Sequence, residues 1–190
     1  MIREVSAEAF AALYKEHIMR DFAPEERRPL FAIERLYRKG RYTCQVLGED
    51  GALQAYACFI QAEGVGGVLL DYFAVAPEMR GSGIGSAFLV ELQAAWPVDG
   101  ILIECEMPED AKDEEDAETR RRRIAFYTRL GAVMTDYGWH AFSVEYNLLW
   151  LPIRKQLDAV EVGEMIARLY AATSPAWILR LQTRVYRLTE

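Results

Sequence analysis

The chain has 190 residues, 52% of them apolar and 27% charged, with a formal net charge of −7. That length suits one well-buried domain and is short for two. The acidic balance argues against nucleic acid as a partner, no apolar run reaches the ~18 residues of a membrane span, and the opening Met1-Ile-Arg-Glu-Val does not read as a signal peptide.

A short strand is expected at Ile2–Val5, then a helix capped by Ser6 and running to about Arg20. Pro24 and Glu25-Glu26 open a second helix with Leu30, Ile33, Leu36 and Tyr37 on one face, closed by Gly40. Tyr42–Leu47 and Ala52–Ala62 are β-type runs around a hairpin turn at Gly48-Glu-Asp-Gly51. A buried strand, Val68–Val75, stops at Pro77; a helix follows from about Gly83 to Trp96 and is ended by Pro97. Ile101-Leu-Ile-Glu-Cys-Glu is a strand, and an acidic stretch then leads into a helix ending near Leu130-Gly131. Further strands are expected at Ala132–Thr135 and Phe142–Leu151, on either side of the turn-prone Asp136-Tyr-Gly138. Val160, Val162, Met165, Ile166, Leu169 and Tyr170 repeat at helical spacing. Ser174-Pro175 then starts a second tail helix carrying Trp177, Ile178, Leu181, Val185 and Leu188. This order gives a mixed α/β fold, with residues 152–190 as a helical extension packed on the same domain or at a dimer contact.

Cys44, Cys58 and Cys105 are odd in number and contain no CxxC pair, which favours buried free thiols in a reducing cytoplasm. With only His17 and His140 and no clustered ligands, no metal site is expected. His140 reads as a hydrogen-bonded structural histidine.

The most informative segment is Val68 to Gly85, where an apolar strand meets Arg80-Gly81-Ser82-Gly83-Ile84-Gly85 and then a helix. Strand, glycine turn and helix N-terminus together aim several unpaired N–H groups and the positive end of the helix dipole at one spot, which attracts phosphate. Glycines let the backbone approach the oxygens where a Cβ would intrude. A dinucleotide GxGxxG would need glycine where Ser86 stands, and no Gly-Lys-Ser/Thr of a P-loop occurs. A nucleotide-binding oxidoreductase is therefore disfavoured.

The pattern R-x-x-G-x-G after Ala-Val-Ala-Pro resembles the GNAT N-acetyltransferase superfamily, whose acetyl-CoA pyrophosphate motif is [Q/R]-x-x-G-x-[G/A]. Arg123-Ile-Ala-Phe-Tyr127-Thr-Arg-Leu-Gly131 resembles the family's second signature, and the resemblance covers roughly 1–151. It implies a mostly antiparallel central sheet flanked by helices, with residues 1–151 as the acetyltransferase domain. It also implies acetyl-CoA as co-substrate, cradled by Arg80, Gly81, Ser82, Gly83, Ile84, Gly85 and Ser86. The pantetheine arm would lie along the backbone of Phe73, Ala74 and Val75, and Tyr127 would be the general acid that protonates the departing sulfur.

A protonated amine acceptor needs a base. Candidates are Glu104 and, less favoured, Asp71 and Glu106. A regular strand would put Asp71 on the face of Phe73 and Val75, and a bulge would overturn that. The chain departs from the family at Arg120 and Arg123, where asparagine and alanine are usual. The run Arg120–Arg123 either contacts CoA phosphates or, the preferred reading, forms helix pairs such as Glu118–Arg122 with the preceding acidic stretch. The expected activity is direct acetyl transfer to a small-molecule or peptide amine in the cytoplasm. The alternative is a catalytically silent CoA-binding module of the same fold.

Overall fold

A computed structural model describes residues 1–49 and 52–188 of the chain. The described strands are β1 (Ile2–Glu4), β2 (Tyr42–Glu49), β3 (Ala52–Ile60), β4 (Val68–Val75), β5 (Gly100–Glu106), β6 (Val133–Ala141), β7 (Val144–Pro152) and β8 (Thr183–Arg187). They form one eight-stranded sheet in the order β1-β2-β3-β4-β5-β7-β6-β8. Only β4 and β5 pair in parallel among them. The helices are α1 (Ala7–Leu13), α2 (Met19–Asp21), α3 (Leu30–Arg38), α4 (Ile84–Ala95), α5 (Glu114–Arg129), α6 (Ala159–Ala171) and α7 (Ala176–Gln182).

Alternation along the strands fills two cores, one on each face of the sheet. Tyr56, Cys58, Ile60, Leu102, Leu148 and Trp150 pack with Phe10 of α1, Ile33 of α3 and Ile166 of α6. Phe59, Ile101, Ile103, Leu149 and Leu151 pack on the other side with Phe88 and Leu92 of α4 and Tyr127 of α5. Local signals set several helix starts. Ser6 accepts from the Ala9 amide, Asp113 caps α5 through the Asp116 amide, and Asp158 with Glu161 forms a capping box on α6. Cys44, Cys58 and Cys105 are all buried, with the Cys44 and Cys58 sulfurs 3.4 Å apart across β2 and β3.

Four expectations need correction. Between α1 and α2 the helix widens into a π turn over Tyr14–Ile18. The segment opened by Pro24 is a single 3₁₀ turn, Pro24–Glu26, and α3 begins only after Pro29. Pro29 lacks an N–H and pushes Arg28 out of the helical region, so one continuous helix cannot form. The hairpin between β6 and β7 turns at Phe142 and Ser143, both with positive φ (50° and 72°), and Asp136-Tyr-Gly138 lies within a register shift of β6. Positive φ at both central residues matches the twist of the flanking strands, and here it outweighs the turn-prone composition upstream. Val185 lies in β8, which pairs with β6, so the second tail helix ends at Gln182. β2 and β3 form the expected hairpin, with Asp50 and Gly51 outside the described residues.

Candidate active site

β4 and β5 are hydrogen-bonded only from Val68↔Ile101 to Leu70↔Ile103, and the strands part beyond that register. Into the gap opens a cleft of about 570 Å³. Its wall is built by β4 (Phe73, Ala74, Val75), the turn after it (Arg80, Gly81, Gly83), the start of α4 (Ile84, Gly85, Ser86), α5 (Arg123, Phe126, Tyr127, Arg129) and Asp21, Phe22 and Glu26. Nine of the cofactor-contact residues named from sequence therefore converge on one surface with Tyr127. Ser82 is not on that wall; its hydroxyl closes the turn by donating to the Met79 carbonyl.

The turn owes its shape to its glycines. Gly83 is the N-cap of α4 with φ of 87°, and a Cβ there would meet no atom within 4 Å, so the glycine serves the backbone conformation and leaves open space above it. No side chain caps the helix, so its first N–H groups remain without intrahelical partners at the cleft wall. Gly85 answers a different need: a Cβ there would lie 3.1 Å from Val75 Cγ2 and 3.6 Å from Phe126 Cζ. Glycine thus lets α4 close on β4 and α5.

Three guanidinium groups, from Arg80, Arg123 and Arg129, face this anion-suited corner. Arg80 donates through Nε to the Val75 carbonyl at 3.2 Å, and its Nη2 lies 3.5 Å from Asp21. Asp21 is itself buried and accepts from the Tyr56 hydroxyl at 3.0 Å, so it anchors Arg80 to the scaffold. The other arginines of the run Arg120–Arg123 serve the helix. Arg120 bonds the Met107 carbonyl and Asp116, Arg121 pairs with Glu114 and Glu118, and Arg122 pairs with Glu118. Arg129 was not singled out from the sequence; its place in the last turn of α5 is the signal that could have found it.

Tyr127 is buried among Phe73 (ring centroids 6.3 Å apart) and Phe126 (5.1 Å). Burial raises its phenol pKa well above the usual value, Cys105 adds to this, and Arg123 opposes it. Among the described residues its hydroxyl makes no hydrogen bond. The site thus holds a protonated, uncommitted donor.

The candidate bases lie elsewhere. Asp71 is the extra residue of a β4 bulge: Cys58 pairs with Tyr72 and Phe59 with Leu70, so Asp71 is skipped. Its side chain shares the face of Tyr72, opposite Phe73 and Val75, which corrects the regular-strand reading. There it binds Arg28 Nε and the Tyr42 hydroxyl, each at 2.7 Å. Glu104, the first β5 residue beyond the parting of the strands, accepts from the Tyr170 hydroxyl at 2.8 Å. Burial lifts its carboxyl pKa to about 7, against the hydrogen bond from Tyr170 and the charge of Arg28, which lower it. Glu106 is occupied by Arg120 (3.7 Å) and Arg123 (3.6 Å). His140 sits 2.7 Å from Glu145, a carboxylate also bonded by Tyr186. No group of three or more metal-ligating side chains occurs among the described residues, nor does a helix long and apolar enough to cross a membrane.

Comparison with known proteins agrees with this geometry. The model of the acetyltransferase (GNAT) family matches residues 10–132, more than half of the chain. No curated protein matches the sequence. Among solved structures, a GNAT-family protein from Bacteroides thetaiotaomicron has a TM-score of 0.68 at 22% identity, covering 87% of this chain and 93% of its own. The ribosomal-protein-S18-alanine N-acetyltransferase of Escherichia coli gives 0.56 at 17% identity, covering 84% and 97%. A Salmonella typhimurium protein solved with acetyl-CoA also gives 0.56 at 17%, covering 84% and 98%. At these identities the likeness concerns the fold.

Proposed function

The chain belongs to the acetyltransferase (GNAT) family, and from that premise we propose that it transfers the acetyl group of acetyl-CoA to a primary amine. The observation that carries this reading is the coincidence, in one cleft, of an uncapped helix N-terminus and an unbonded tyrosine hydroxyl. A diphosphate fits the first: the N–H groups of Ile84, Gly85 and Ser86 are unpaired donors, the glycines leave room for oxygens, and Arg80 and Arg123 add positive charge. Phe73, Ala74 and Val75 offer the pantetheine arm an apolar wall and a strand edge that β5 does not pair, with the Val75 carbonyl held by Arg80.

The co-substrate supplies the acetyl group as a thioester. Glu104, with a pKa of about 7, holds roughly equal amounts of carboxylate and acid at neutral pH, so it can take a proton from an ammonium group and release it to solvent. As the new C–N bond forms and the C–S bond breaks, the amine proton passes to Glu104 and the sulfur receives the Tyr127 proton. The products are an acetamide and free CoA, and the proton on Glu104 is released as Tyr127 regains its own. Glu104 and Tyr127 belong to opposite faces of the sheet, so amine and thioester meet through the gap between β4 and β5. Asp71 is already engaged by Arg28 and Tyr42, which leaves it a supporting part.

Thermal unfolding with and without CoA, together with CoA release against a panel of amines, tests the proposal. Stabilisation by CoA that vanishes in Gly83→Glu, with turnover reduced about 10²-fold in Tyr127→Phe, is the expected result. Stabilisation without turnover of any amine would leave a CoA-binding module.

A further inference from the structure

Beside Glu104, on the face of the sheet that carries Tyr170, lies a cation that the transfer chemistry does not use. Arg28 is mostly buried, its side chain 21% exposed, in the short extended stretch between the 3₁₀ turn and α3. Its backbone N–H donates to the Tyr72 hydroxyl at 2.7 Å, its Nε donates to Asp71 at 2.7 Å, and its guanidinium carbon lies 5.7 Å from the Tyr170 ring centroid. Backbone, side-chain root and guanidinium plane are thus all fixed. Yet neither Nη1 nor Nη2 has a partner among the described residues. Four N–H donors on a rigid fork are left without partners among the described residues.

Tyr170 links this fork to the proposed base, since its ring lies under Arg28 while its hydroxyl holds Glu104. The Trp139 ring packs 4.9 Å from Tyr170, and its buried indole N–H is a further donor beside Glu104. Tyr170 therefore brings a carboxylate that can receive a proton close to a planar cation with two open donor nitrogens. Asp71 already balances the Arg28 charge and Glu104 adds a carboxylate, so a ligand carrying both an anionic and a cationic group complements this cluster better than an anion alone. A guanidinium edge matches a carboxylate in two parallel hydrogen bonds, a geometry that a lysine could not offer.

We infer that the acceptor is a free amino acid, its carboxylate held by Arg28 Nη1 and Nη2 and its amino group presented to Glu104. This rests on the acetyl-transfer reading and names the acceptor class for that same site. A peptide N-terminus, whose neighbouring carboxyl is an amide, would leave the fork empty.

The test pairs each of the common amino acids with its amide, with the decarboxylated amine and with a short peptide bearing the same N-terminal residue. CoA release is followed for all four. Binding to the protein–CoA complex is measured separately by calorimetry, which reads the carboxylate contact without any transfer. At least one amino acid is expected to exceed its amide and peptide by about 10²-fold or more in kcat/KM and in affinity, because a site built to bond a group rejects analogues lacking it. Arg28→Lys keeps the charge beside Asp71 and so the packing, and it should shrink that preference to about tenfold or less, acting through KM. Equal affinity for acid and amide, or a peptide preferred over the free amino acid, would overturn the inference. Amino-acid binding with an intact acid preference but no transfer would support the carboxylate site and count against the catalytic reading alone.

Discussion

Replacing Tyr170 by phenylalanine removes one hydroxyl that reaches the reaction only through Glu104, yet it should move the pH dependence of the reaction. Glu104 is lifted to about 7 by burial, and the Tyr170 hydrogen bond at 2.8 Å is the largest influence holding it from rising further. A hydrogen bond to a charged acceptor contributes about 1.5–3 kcal/mol, and 1.36 kcal/mol corresponds to one pKa unit. The acidic limb of kcat/KM in Tyr170→Phe should therefore shift upward by about one to two units. In the unaltered protein about half of Glu104 is carboxylate at pH 7 and about one part in a hundred at pH 5, so kcat/KM should fall about 10²-fold over that interval. The assay is the initial rate of CoA release from pH 5 to 9.5 for the unaltered protein, Tyr170→Phe and Glu104→Gln. Glu104→Gln is the control, because a limb that survives in it belongs to the acceptor amine. A limb that stays in place in Tyr170→Phe, or one unchanged in Glu104→Gln, would refute the assignment of Glu104 as base.

The same carboxyl should mark stability. Its folded pKa of about 7 exceeds the unfolded value of about 4.3, so between those pH values the folded state binds more protons and stability falls as pH rises, by about 4 kcal/mol in all, levelling above 7. Denaturant titrations at pH 4.5 and 8 should show that slope, and Glu104→Gln should flatten it. Gly83→Ala forces a Cβ onto a residue with φ of 87° and should cost about 1 kcal/mol in the same titrations, besides weakening CoA binding in a thermal shift. Asp158→Ala removes half of the capping box on α6 and should cost about 1 kcal/mol with no change in CoA binding, since α6 does not reach the cleft wall.

The glycine turn and the start of α4 were legible because they are local. The strand, the glycines at 81, 83 and 85 and the start of α4 are contiguous, and each residue's requirement is set by backbone geometry within a few positions. The length of β4 and the helix ending near Gly131 were readable for the same reason. What failed to show were features fixed by packing between distant segments. Strand β8 has the apolar pattern of a helix end, and only its ladder with β6 makes it a strand. Asp71 looks like any strand carboxylate until the mismatch between Cys58–Tyr72 and Phe59–Leu70 turns it to the other face.

The candidate bases raise the same point more sharply. Glu104 was one acidic residue among several in the sequence, and nothing near it in the chain distinguishes it from Glu106. Their difference arises from partners that are remote in sequence: Tyr170 and burial for Glu104, Arg120 and Arg123 for Glu106. The sequence by itself determined the glycine turn at the head of α4 and most of the elements up to β7, because turns, caps and periodicity act over a few residues. The tertiary structure alone decided which carboxylate is desolvated and which arginine keeps open donors, because desolvation and pairing depend on what the folded chain brings alongside.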